Sequence, residues 1–474
     1  MLFNSLQFFI FFVIVYSLYL ILNHKWQNRL LLVASYIFYG AWDWRFLTLL
    51  WFSTLMDFFL ARRIEGAFSQ TTKRRWLICS VVLNLGILGI FKYFNFFVDS
   101  LQCLLSYFHI HLSPATLHIV LPVGISFYTF QSLSYTIDVY YGKIKATRYL
   151  SDFALYVAFF PQLVAGPIER ATHLLPQVSS PRRVTLEGFY QGCFLAFWGF
   201  FEKVFVADNL AKIVDPVFTN SSAANGLEVL TALYAFAFQI FCDFDGYSNI
   251  ARGVAQCMGF EIMVNFRWPY FAVSPREFWQ RWHISLSTWL KDYLYIPLGG
   301  NRGGELKTYR NLFITMFLGG LWHGASWTFV LWGVYHGSLL ILHRLFSPLV
   351  RNISRNICFP SWSRNLQMVL FFHLVCFGWL LFRSTSIGQI GQMVHALFGQ
   401  WSGVGFQEGL KAAVSLVPFL WILLLIQIVQ YVRNDPLVML KFRPLTRMVF
   451  YYVCLMALIV WGETGAKEFI YFQF

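Results

Sequence analysis

The residue with the clearest potential for chemistry is His323, in the stretch "GGLWHGASWTFVLWGVYHG". It lies between two apolar runs and is flanked by glycines, which allow close backbone approach. An ionisable group inside an apolar segment is costly, so it is a candidate for function. A buried imidazole that stays neutral can accept a proton, which suits general-base transfer of an acyl group to a hydroxyl. A core histidine bonded to a backbone carbonyl is the alternative.

A second histidine, His283 in "RWHISLSTW", precedes His323 by forty positions. Two histidines could bind a metal ion, but neither an H-x3-H nor an H-E-x-x-H spacing occurs and no third ligand is evident. We therefore predict no metal site. Trp282 and Trp322 directly precede the two histidines and are candidates for contact with a substrate. We interpret His336 as a packing or interhelix polar residue, and His343 as a membrane-edge residue.

A polar group follows an apolar run in "FQIFCDFDGYSNIARG". Two carboxylates could serve as an acid and base pair. A structural polar network around a chain turn at Gly246 is favoured, in which one of the aspartates pairs with Arg252, Arg276 or Arg281. The residues assigned to this network are Gln239, Asp243, Asp245 and Asn249.

The loop "PLGGNRGGELKTYR" combines glycines with Arg302, Lys307 and Arg310. Backbone N–H groups and basic side chains of this kind can hold phosphate groups. The pattern is weak when it stands alone, and a mobile surface loop is equally compatible with it. We nevertheless predict that these three residues contact a phosphate-bearing substrate.

The composition determines the solvent in which these residues must be positioned. Of the 474 residues, 58% are hydrophobic and 12% are charged, whereas roughly 25% are charged in a soluble domain. Apolar runs of spanning length recur along the chain, and residues 2–23 contain no charged side chain. About eleven or twelve runs come near the roughly 20 residues that a helix needs to cross a bilayer. The sequence therefore predicts an all-α polytopic membrane protein, with residues 1–474 forming a single domain.

The net charge of +14 could indicate nucleic-acid binding. However, 29 of the 36 lysine and arginine residues fall in one alternating set of loops. This distribution is the positive-inside pattern of a membrane protein, so we predict no nucleic-acid partner. The same pattern predicts that the N-terminus and the C-terminus both lie outside the cytoplasm.

Two segments interrupt the spanning pattern. Residues 151–177 carry Pro161 within an apolar run and have basic residues on both flanks, which predicts a re-entrant segment. Residues 275–300 are too charged to span and too aromatic to be free in solution. We predict one helix that begins at Pro275, carries Glu277 in its first turn and lies at or penetrates the cytoplasmic face.

The long motifs "NFRWPYFAVSPREFWQRWHISLSTWLKDYLYIPLGGNR" and "NLFITMFLGGLWHGASWTFVLWGVYHG" resemble the membrane-bound O-acyltransferase (MBOAT) family. The likeness is greatest to its bacterial branch that acetylates polysaccharides, of which the alginate O-acetylases are typical. It extends over nearly the whole chain, from "SYIFYGAWDWRF" to the C-terminus. One departure is Asp245, where serine is the more frequent residue in that branch.

The resemblance implies a ring of tilted helices with a cytoplasmic and an outer funnel. It places the invariant histidine of the family on His323 and the histidine of the second motif on His283. It further implies that cytosolic acetyl-CoA is the acyl-donor substrate, without a bound cofactor, and that the loop around Arg302 holds it.

The C-terminal residues 463–474 end in "FIYFQF", which matches the F-x-Y-F-x-F pattern carried by similar acyl-export systems. In that pattern the tyrosine, here Tyr471, accepts the acyl group and passes it to an enzyme outside. Ten residues separate Trp461 from Tyr471, an extended reach of up to ~33 Å against roughly 15 Å to the bilayer midplane. Docking of a partner or capping of the helix bundle is the alternative.

These features predict an O-acetyltransferase of the bacterial inner membrane that acts on an exported polysaccharide such as alginate. The expected partners are a periplasmic SGNH-type acetyltransferase or acetyl carrier, the polysaccharide and membrane lipid. Peptidoglycan or cellulose acetylation and D-alanyl export remain alternatives within the family. A transporter or flippase is the alternative from another class, but it predicts a repeat of two halves that is not evident.

Overall fold

The computed structural model describes residues 1–110, 117, 120–356, 362–401, 404–463, 465, 469 and 470. Within these residues helices are the main regular structure, and no strand occurs. The first half contains ten helices: α1 Leu6–Ile21, α2 His24–Asp43, α3 Leu47–Gly66, α4 Gln70–Leu88, α5 Phe94–Tyr107, α6 Ile125–Tyr140, α7 Leu150–Ala158, α8 Ala171–Ser179, α9 Leu186–Phe200 and α10 Asp208–Thr219.

The second half of the chain supplies ten further helices: α11 Gly226–Cys257, α12 Pro275–Arg281, α13 Ile284–Leu290, α14 Glu305–His323, α15 Trp327–Asn356, α16 Trp362–Arg383, α17 Ile387–Gly399, α18 Val404–Ser415, α19 Val417–Arg433 and α20 Pro444–Trp461. Three wider π-helical turns interrupt or extend them, at Gly89–Tyr93, Phe201–Ala207 and Lys291–Tyr295. Short 3-10 turns occur at Trp44–Phe46, Pro269–Phe271 and Val438–Lys441.

Six helical segments of the described chain are long and apolar enough to cross a bilayer, or seven if the bent pair α18–α19 forms one span. The prediction of an all-helical, multi-pass membrane protein is therefore confirmed. The number of such segments is lower than the predicted eleven or twelve. One reason is that α2 and α3 form one continuous helical run, and another is that apolar stretches such as 118–137 and 189–208 contain helices of only 16 and 15 residues.

Helix α11 is the central element of the core, and its close packing against α9 depends on glycine. A Cβ atom placed on Gly246 would lie 2.7 Å from the carbonyl oxygen of Gly199. The backbones of the two helices therefore touch, which only residues without a side chain permit. The predicted chain turn at Gly246 is wrong, because α11 continues through this position for 32 residues.

The segment with Pro161 breaks as predicted. Helix α7 ends at Ala158, and residues 159–170 run without helical structure to the start of α8. All twelve of these residues are buried. Backbone groups that lack a helical hydrogen bond can bond to neighbouring side chains here. For example, Phe160 N–H donates to Ser35 Oγ at 3.0 Å. Irregular backbone of this kind is stable in a membrane protein only where surrounding protein satisfies it.

The predicted helix at Pro275 begins where expected, because Ser274 Oγ accepts the N–H of Glu277 at 3.2 Å as an N-cap. The prediction of one continuous helix is wrong. The chain leaves the helical conformation at Trp282, and His283 adopts a left-handed backbone with φ of 43°. Two short helices, α12 and α13, thus meet at His283, which is completely buried.

Candidate active site

His323 is the last residue of α14, and the extended conformation of Gly324 ends the helix there. The helix end packs closely against the start of α15, since a Cβ atom on Gly320 would lie 3.0 Å from the Cα atom of Gly333. The prediction that glycines bring backbones together at this motif is thereby confirmed. The His323 side chain is consequently fixed at a helix terminus inside the protein, with 5% of its surface exposed.

Two residues of the π-helical turn Gly89–Tyr93 hold the carbonyl end of α14. The Lys92 ammonium donates to the carbonyl oxygens of Trp322 and His323, at 2.7 and 3.1 Å. The Tyr93 hydroxyl donates to the carbonyl oxygen of Leu321 at 2.7 Å. Three consecutive carbonyl groups that the helix itself leaves without partners are satisfied in this way.

The break between α12 and α13 places His283 beside His323. The centroids of the two imidazole rings are 6.4 Å apart. His283 Nδ1 accepts the N–H of Leu286 at 3.3 Å and so caps α13. Its Nε2 atom has no hydrogen-bond partner among the described residues. The structure therefore brings the two predicted histidines together, and it leaves one nitrogen of His283 available to a further group.

Aromatic rings enclose the two histidines. The His323 ring lies 4.8 Å from Trp332, 5.1 Å from Trp322 and 5.3 Å from Phe382, measured between centroids. Such surroundings exclude water and keep an imidazole dry.

Of the two tryptophans predicted to contact a substrate, the structure brings Trp322 to the site. Trp282 lies elsewhere, where its ring packs in tilted and edge-on contacts against Trp379 and Phe266 at centroid distances of 4.7 and 4.9 Å. Its neighbours on these sides are core side chains, and its contact with a substrate stays a prediction.

A cavity of about 80 Å³ adjoins His323. Its wall combines polar and apolar groups from five parts of the chain, which are Lys92, residues 121–127, Val164, Trp322 with His323, and Phe469. A cavity of this size can hold a small group such as the acyl carbon atoms of a substrate, but not a large ligand. Its position beside a buried imidazole makes it the candidate site of reaction.

Phe469, near the C-terminus, is part of this wall. It is buried, with 1% of its surface exposed, and its ring lies 5.4 Å from Phe244 and 5.1 Å from Tyr247. The N–H of Ile470 donates to Asp243 Oδ2 at 2.6 Å. The C-terminal segment therefore enters the core next to His323. The predicted acceptor, Tyr471, follows Ile470 in the sequence and lies outside the described residues.

The polar network predicted on α11 exists, but Asp243 has a partner that the prediction did not include. Asp243 pairs with Lys203 at 2.6 Å, not with an arginine, and Lys203 also pairs with Asp208 at 2.9 Å. Arg281 pairs with Glu277 at 2.8 Å instead. These partners could not be predicted from local sequence, because Lys203 lies on a π-helical turn that precedes α10, forty residues before Asp243.

The remaining residues of the network, Gln239, Asp245 and Asn249, also lie on α11. Asn249 Nδ2 donates to Glu202 Oε2 at 3.0 Å, and its Oδ1 accepts from Arg252 at 3.0 Å. Asp245 lies within electrostatic range of Arg252, as one predicted pairing required. Gln239 is buried on the same helix. None of these three contacts places a carboxylate pair in the lining of the cavity, so a structural role of the network is favoured over acid-base chemistry.

The basic loop lies at the opposite end of α14 from His323. Arg302, Lys307 and Arg310 are exposed, and left-handed backbone at Gly299, Gly300, Gly303 and Gly304 shapes the loop. Arg310 donates to Asn311 Oδ1 at 3.0 Å. Helix α14 separates the loop from His323 by about 27 Å at 1.5 Å per residue. The structure therefore places the three basic residues away from the reacting centre.

Lys92 and Tyr93 are the site residues that the sequence did not single out. The available signal was a lysine within an apolar segment of spanning length. Its partners could not be foreseen, because the contacts join residues about 230 positions apart.

The fold and the site together define a class of membrane enzyme. The sequence model of the membrane-bound O-acyltransferase family matches residues 144–387, which is more than half of the chain and contains both histidines. The chain belongs to this family, and it is a multi-pass membrane acyltransferase.

Three relatives match this chain at different levels of sequence identity. A probable alginate O-acetylase of Azotobacter vinelandii is 46% identical over 85% of this chain and 79% of its own length. A peptidoglycan O-acetyltransferase of Helicobacter pylori is 34% identical over 84% of this chain and 80% of its own. A teichoic acid D-alanyltransferase of Bacillus subtilis is 28% identical over 55% of this chain and 68% of its own. These proteins are named for acyl transfer to different polymers of the cell surface.

Proposed function

We propose that this protein takes acetyl groups from cytosolic acetyl-CoA and transfers them across the bacterial inner membrane for O-acetylation of an exported polysaccharide. The position of Phe469 in the wall of the cavity beside His323 is the observation that carries the proposal. Phe469 precedes the hydroxyl residue Tyr471 by two positions in the sequence and lies next to the buried imidazole.

His323 acts as the general base. A neutral imidazole takes the proton of an acceptor hydroxyl, whose oxygen then attacks the carbonyl carbon of the acetyl thioester. The bond from carbon to sulfur breaks, and the thiolate of coenzyme A receives the proton back from the imidazolium. His283, 6.4 Å away between ring centroids, offers its Nε2 atom to the donor or to the acceptor in the same dry space.

Tyr471 is the proposed first acceptor. Two contacts of the preceding residues support this role, since Phe469 packs against Phe244 and Ile470 N–H is bonded to Asp243. The Asp243 carboxylate is in turn held by Lys203. Because the segment is already anchored, little conformational entropy is lost when the next residue is positioned for reaction.

The basic loop binds the phosphates of coenzyme A on the cytoplasmic side, while both chain termini lie outside. The acetylated tail then passes its acetyl group to a periplasmic SGNH-type acetyltransferase or an acetyl carrier. Identity favours an alginate-like polysaccharide as the final acceptor, because the alginate O-acetylase relative is 46% identical and the peptidoglycan enzyme 34%.

The test is the mass of the C-terminal peptide after the purified protein has been incubated with acetyl-CoA. The expected result is one added acetyl group on Tyr471 in the wild type, and none in His323→Ala or Tyr471→Phe. His343→Gln is the matched control, because this partly exposed histidine lies on α15, away from the cavity lining. Release of coenzyme A without acetylation of the tail would move the acceptor role to a partner. No release from any of the proteins would refute the proposed donor.

A further inference from the structure

Lys92 is a basic residue within an apolar segment, and it lines the cavity of the candidate active site. It lies in the segment Gln70–Tyr107, which is apolar enough to cross a bilayer. Its Nζ atom donates to Trp322 O at 2.7 Å, to His323 O at 3.1 Å and to Ser126 Oγ at 3.3 Å. Three acceptors match the three N–H groups of an ammonium, whereas a neutral amine has only two.

All three partners of Lys92 are uncharged. Among the described residues no carboxylate lies within ion-pair distance of Nζ, although lysine and carboxylate pairs occur elsewhere in the core. A desolvated cation without a counter-charge is costly. The neighbouring Tyr93 satisfies a carbonyl group of the same helix end with a neutral hydroxyl. The carbonyl end of α14 and the ring of Trp322, whose centroid lies 5.9 Å from Nζ, offset part of this cost. Neither carries a full negative charge, so the remaining cost requires a further explanation.

The cavity supplies that explanation. Lys92 and His323 both line it, so a positive charge stands next to the space where acyl transfer would occur. We infer that the Lys92 ammonium is the electrostatic group of this site, holding the His323 end of α14 in place and stabilising the negative charge of the tetrahedral intermediate. This inference rests on the proposed acyl transfer at His323.

The charge acts at one defined stage of the reaction. When the acceptor oxygen bonds to the thioester carbon, the carbonyl electrons move onto oxygen and create an oxyanion. A fixed cation in a dry cavity stabilises that oxyanion more than it stabilises the neutral thioester. The electrons return when the bond to sulfur breaks, and the ammonium keeps its three protons throughout. Lys92 consequently lowers the barrier without taking part in proton transfer.

Four variants separate the effect of the Lys92 charge from the effect of the hydrogen bonds that support the end of α14. Lys92→Met removes the charge and all donors, Lys92→Gln removes the charge but keeps donors, and Lys92→Arg keeps both. Tyr93→Phe is the matched control, because it removes one contact to the same helix end and no charge. Acetyl-CoA turnover gives kcat and KM for each variant, and thermal unfolding in detergent reports folding.

The expected result is a loss of about 100-fold or more in kcat for Lys92→Met and Lys92→Gln. KM should change less than about threefold, because the interaction strengthens only in the transition state. Lys92→Arg should recover much of kcat, and Tyr93→Phe should lose less than about tenfold.

Two outcomes would overturn the inference while leaving the proposed function intact. One is a Lys92→Gln variant with wild-type kcat. The other is an equal loss for Lys92→Gln and Tyr93→Phe accompanied by equal loss of thermal stability, which would show that Lys92 is only a helix cap. If the wild type itself does not turn over acetyl-CoA, the proposed function fails and the inference fails with it.

Discussion

The ring of His283 lies 6.4 Å from the ring of His323, although forty residues separate them in the chain. The contact exists because the chain leaves the helical conformation at Trp282 and His283 adopts a left-handed backbone. A continuous helix from Pro275, as the sequence predicts, would carry the side chain at position 283 in a different direction. The active-site pair thus depends on a local break in secondary structure.

His283 caps α13 and has a proposed role in acyl transfer. Suitable substitutions can separate these two roles. Asparagine adopts the left-handed conformation and caps helices well, whereas alanine does neither. We expect His283→Asn to unfold near the wild-type temperature, and His283→Ala to be less stable by about 1 kcal/mol for the lost cap.

Acetyl-CoA turnover should be lost in both His283 variants, because each lacks the imidazole ring. Thermal unfolding and turnover measured on the same preparations test this expectation. Wild-type turnover in His283→Asn would show that the ring serves only to cap α13.

Arg302 should affect donor binding and not chemistry. The loop that contains it lies at the far end of α14 from His323, about 27 Å away along the helix axis. We expect Arg302→Ala to raise the apparent KM for acetyl-CoA about tenfold while kcat stays the same, as for the loss of one charged hydrogen bond.

The control for Arg302 is Arg344→Ala, which removes an exposed arginine that pairs with Glu305 at the same end of α14. This variant should leave KM unchanged, because exposed ion pairs contribute little. A fall in kcat for Arg302→Ala at unchanged KM would contradict the assignment of the loop to phosphate binding.

The contact between α9 and α11 should tolerate no added methyl group at Gly246. A Cβ atom there would lie 2.7 Å from the carbonyl oxygen of Gly199, and backbone cannot move aside as a side chain can. We expect Gly246→Ala to destabilise the protein by about 1–3 kcal/mol, as for an overpacked core.

The comparison for Gly246 is Gly86→Ala in α4, where no atom lies within 4 Å of the added carbon. That change should be neutral or stabilise by about 0.5–1 kcal/mol, since alanine is the better helix former. Equal effects of the two substitutions on the unfolding temperature would refute close packing at α9 and α11.

The pair of His173 and Glu169 should make stability depend on pH. His173 Nδ1 lies 2.8 Å from Glu169 Oε2, and the hydrogen bond to this carboxylate raises the pKa of His173 above its usual 6.5. A raised pKa means that folding favours the protonated ring. The contribution of His173 is therefore fully present below about pH 6.5, as long as the pH stays above the pKa of Glu169, which burial raises from its usual 4.5. It is lost as the pH rises through the folded-state pKa of His173.

Thermal unfolding of the wild type and His173→Gln over a pH series measures this effect. The difference in unfolding temperature should be largest at low pH within that series and should shrink as the pH rises. The exposed His395→Gln variant controls for general effects of losing a histidine. A difference that grows with pH would reverse the assigned sign.

Much of the molecule follows from local sequence. The run lengths and low charge of the apolar segments predict a helical membrane protein, because a bilayer leaves backbone groups no partner except within a helix. Pro161 predicts the end of α7, and Ser274 with Pro275 predicts the start of α12. These features depend on a few neighbouring residues, so the sequence contains them directly.

The identity of the chemical groups was also accessible from the sequence, since His323, His283 and the aromatic C-terminus are unusual in their apolar surroundings. The arrangement of these groups in space was not accessible from the sequence. The pairing of Asp243 with Lys203, the contact of Ile470 with Asp243 and the capping of α14 by Lys92 join residues 40, 227 and about 230 positions apart. Such contacts follow from how the helices pack, and no short pattern encodes them.

The sequence by itself therefore determined that the protein lies in a bilayer, that it is built of helices, and which side chains are candidates for chemistry. The tertiary structure alone decided that His283 faces His323, that Trp282 lies away from the cavity, and that Lys92 and Phe469 complete its wall. The physical reason is that local conformation depends on neighbours along the chain, whereas an active site depends on close packing between elements that are distant in the chain.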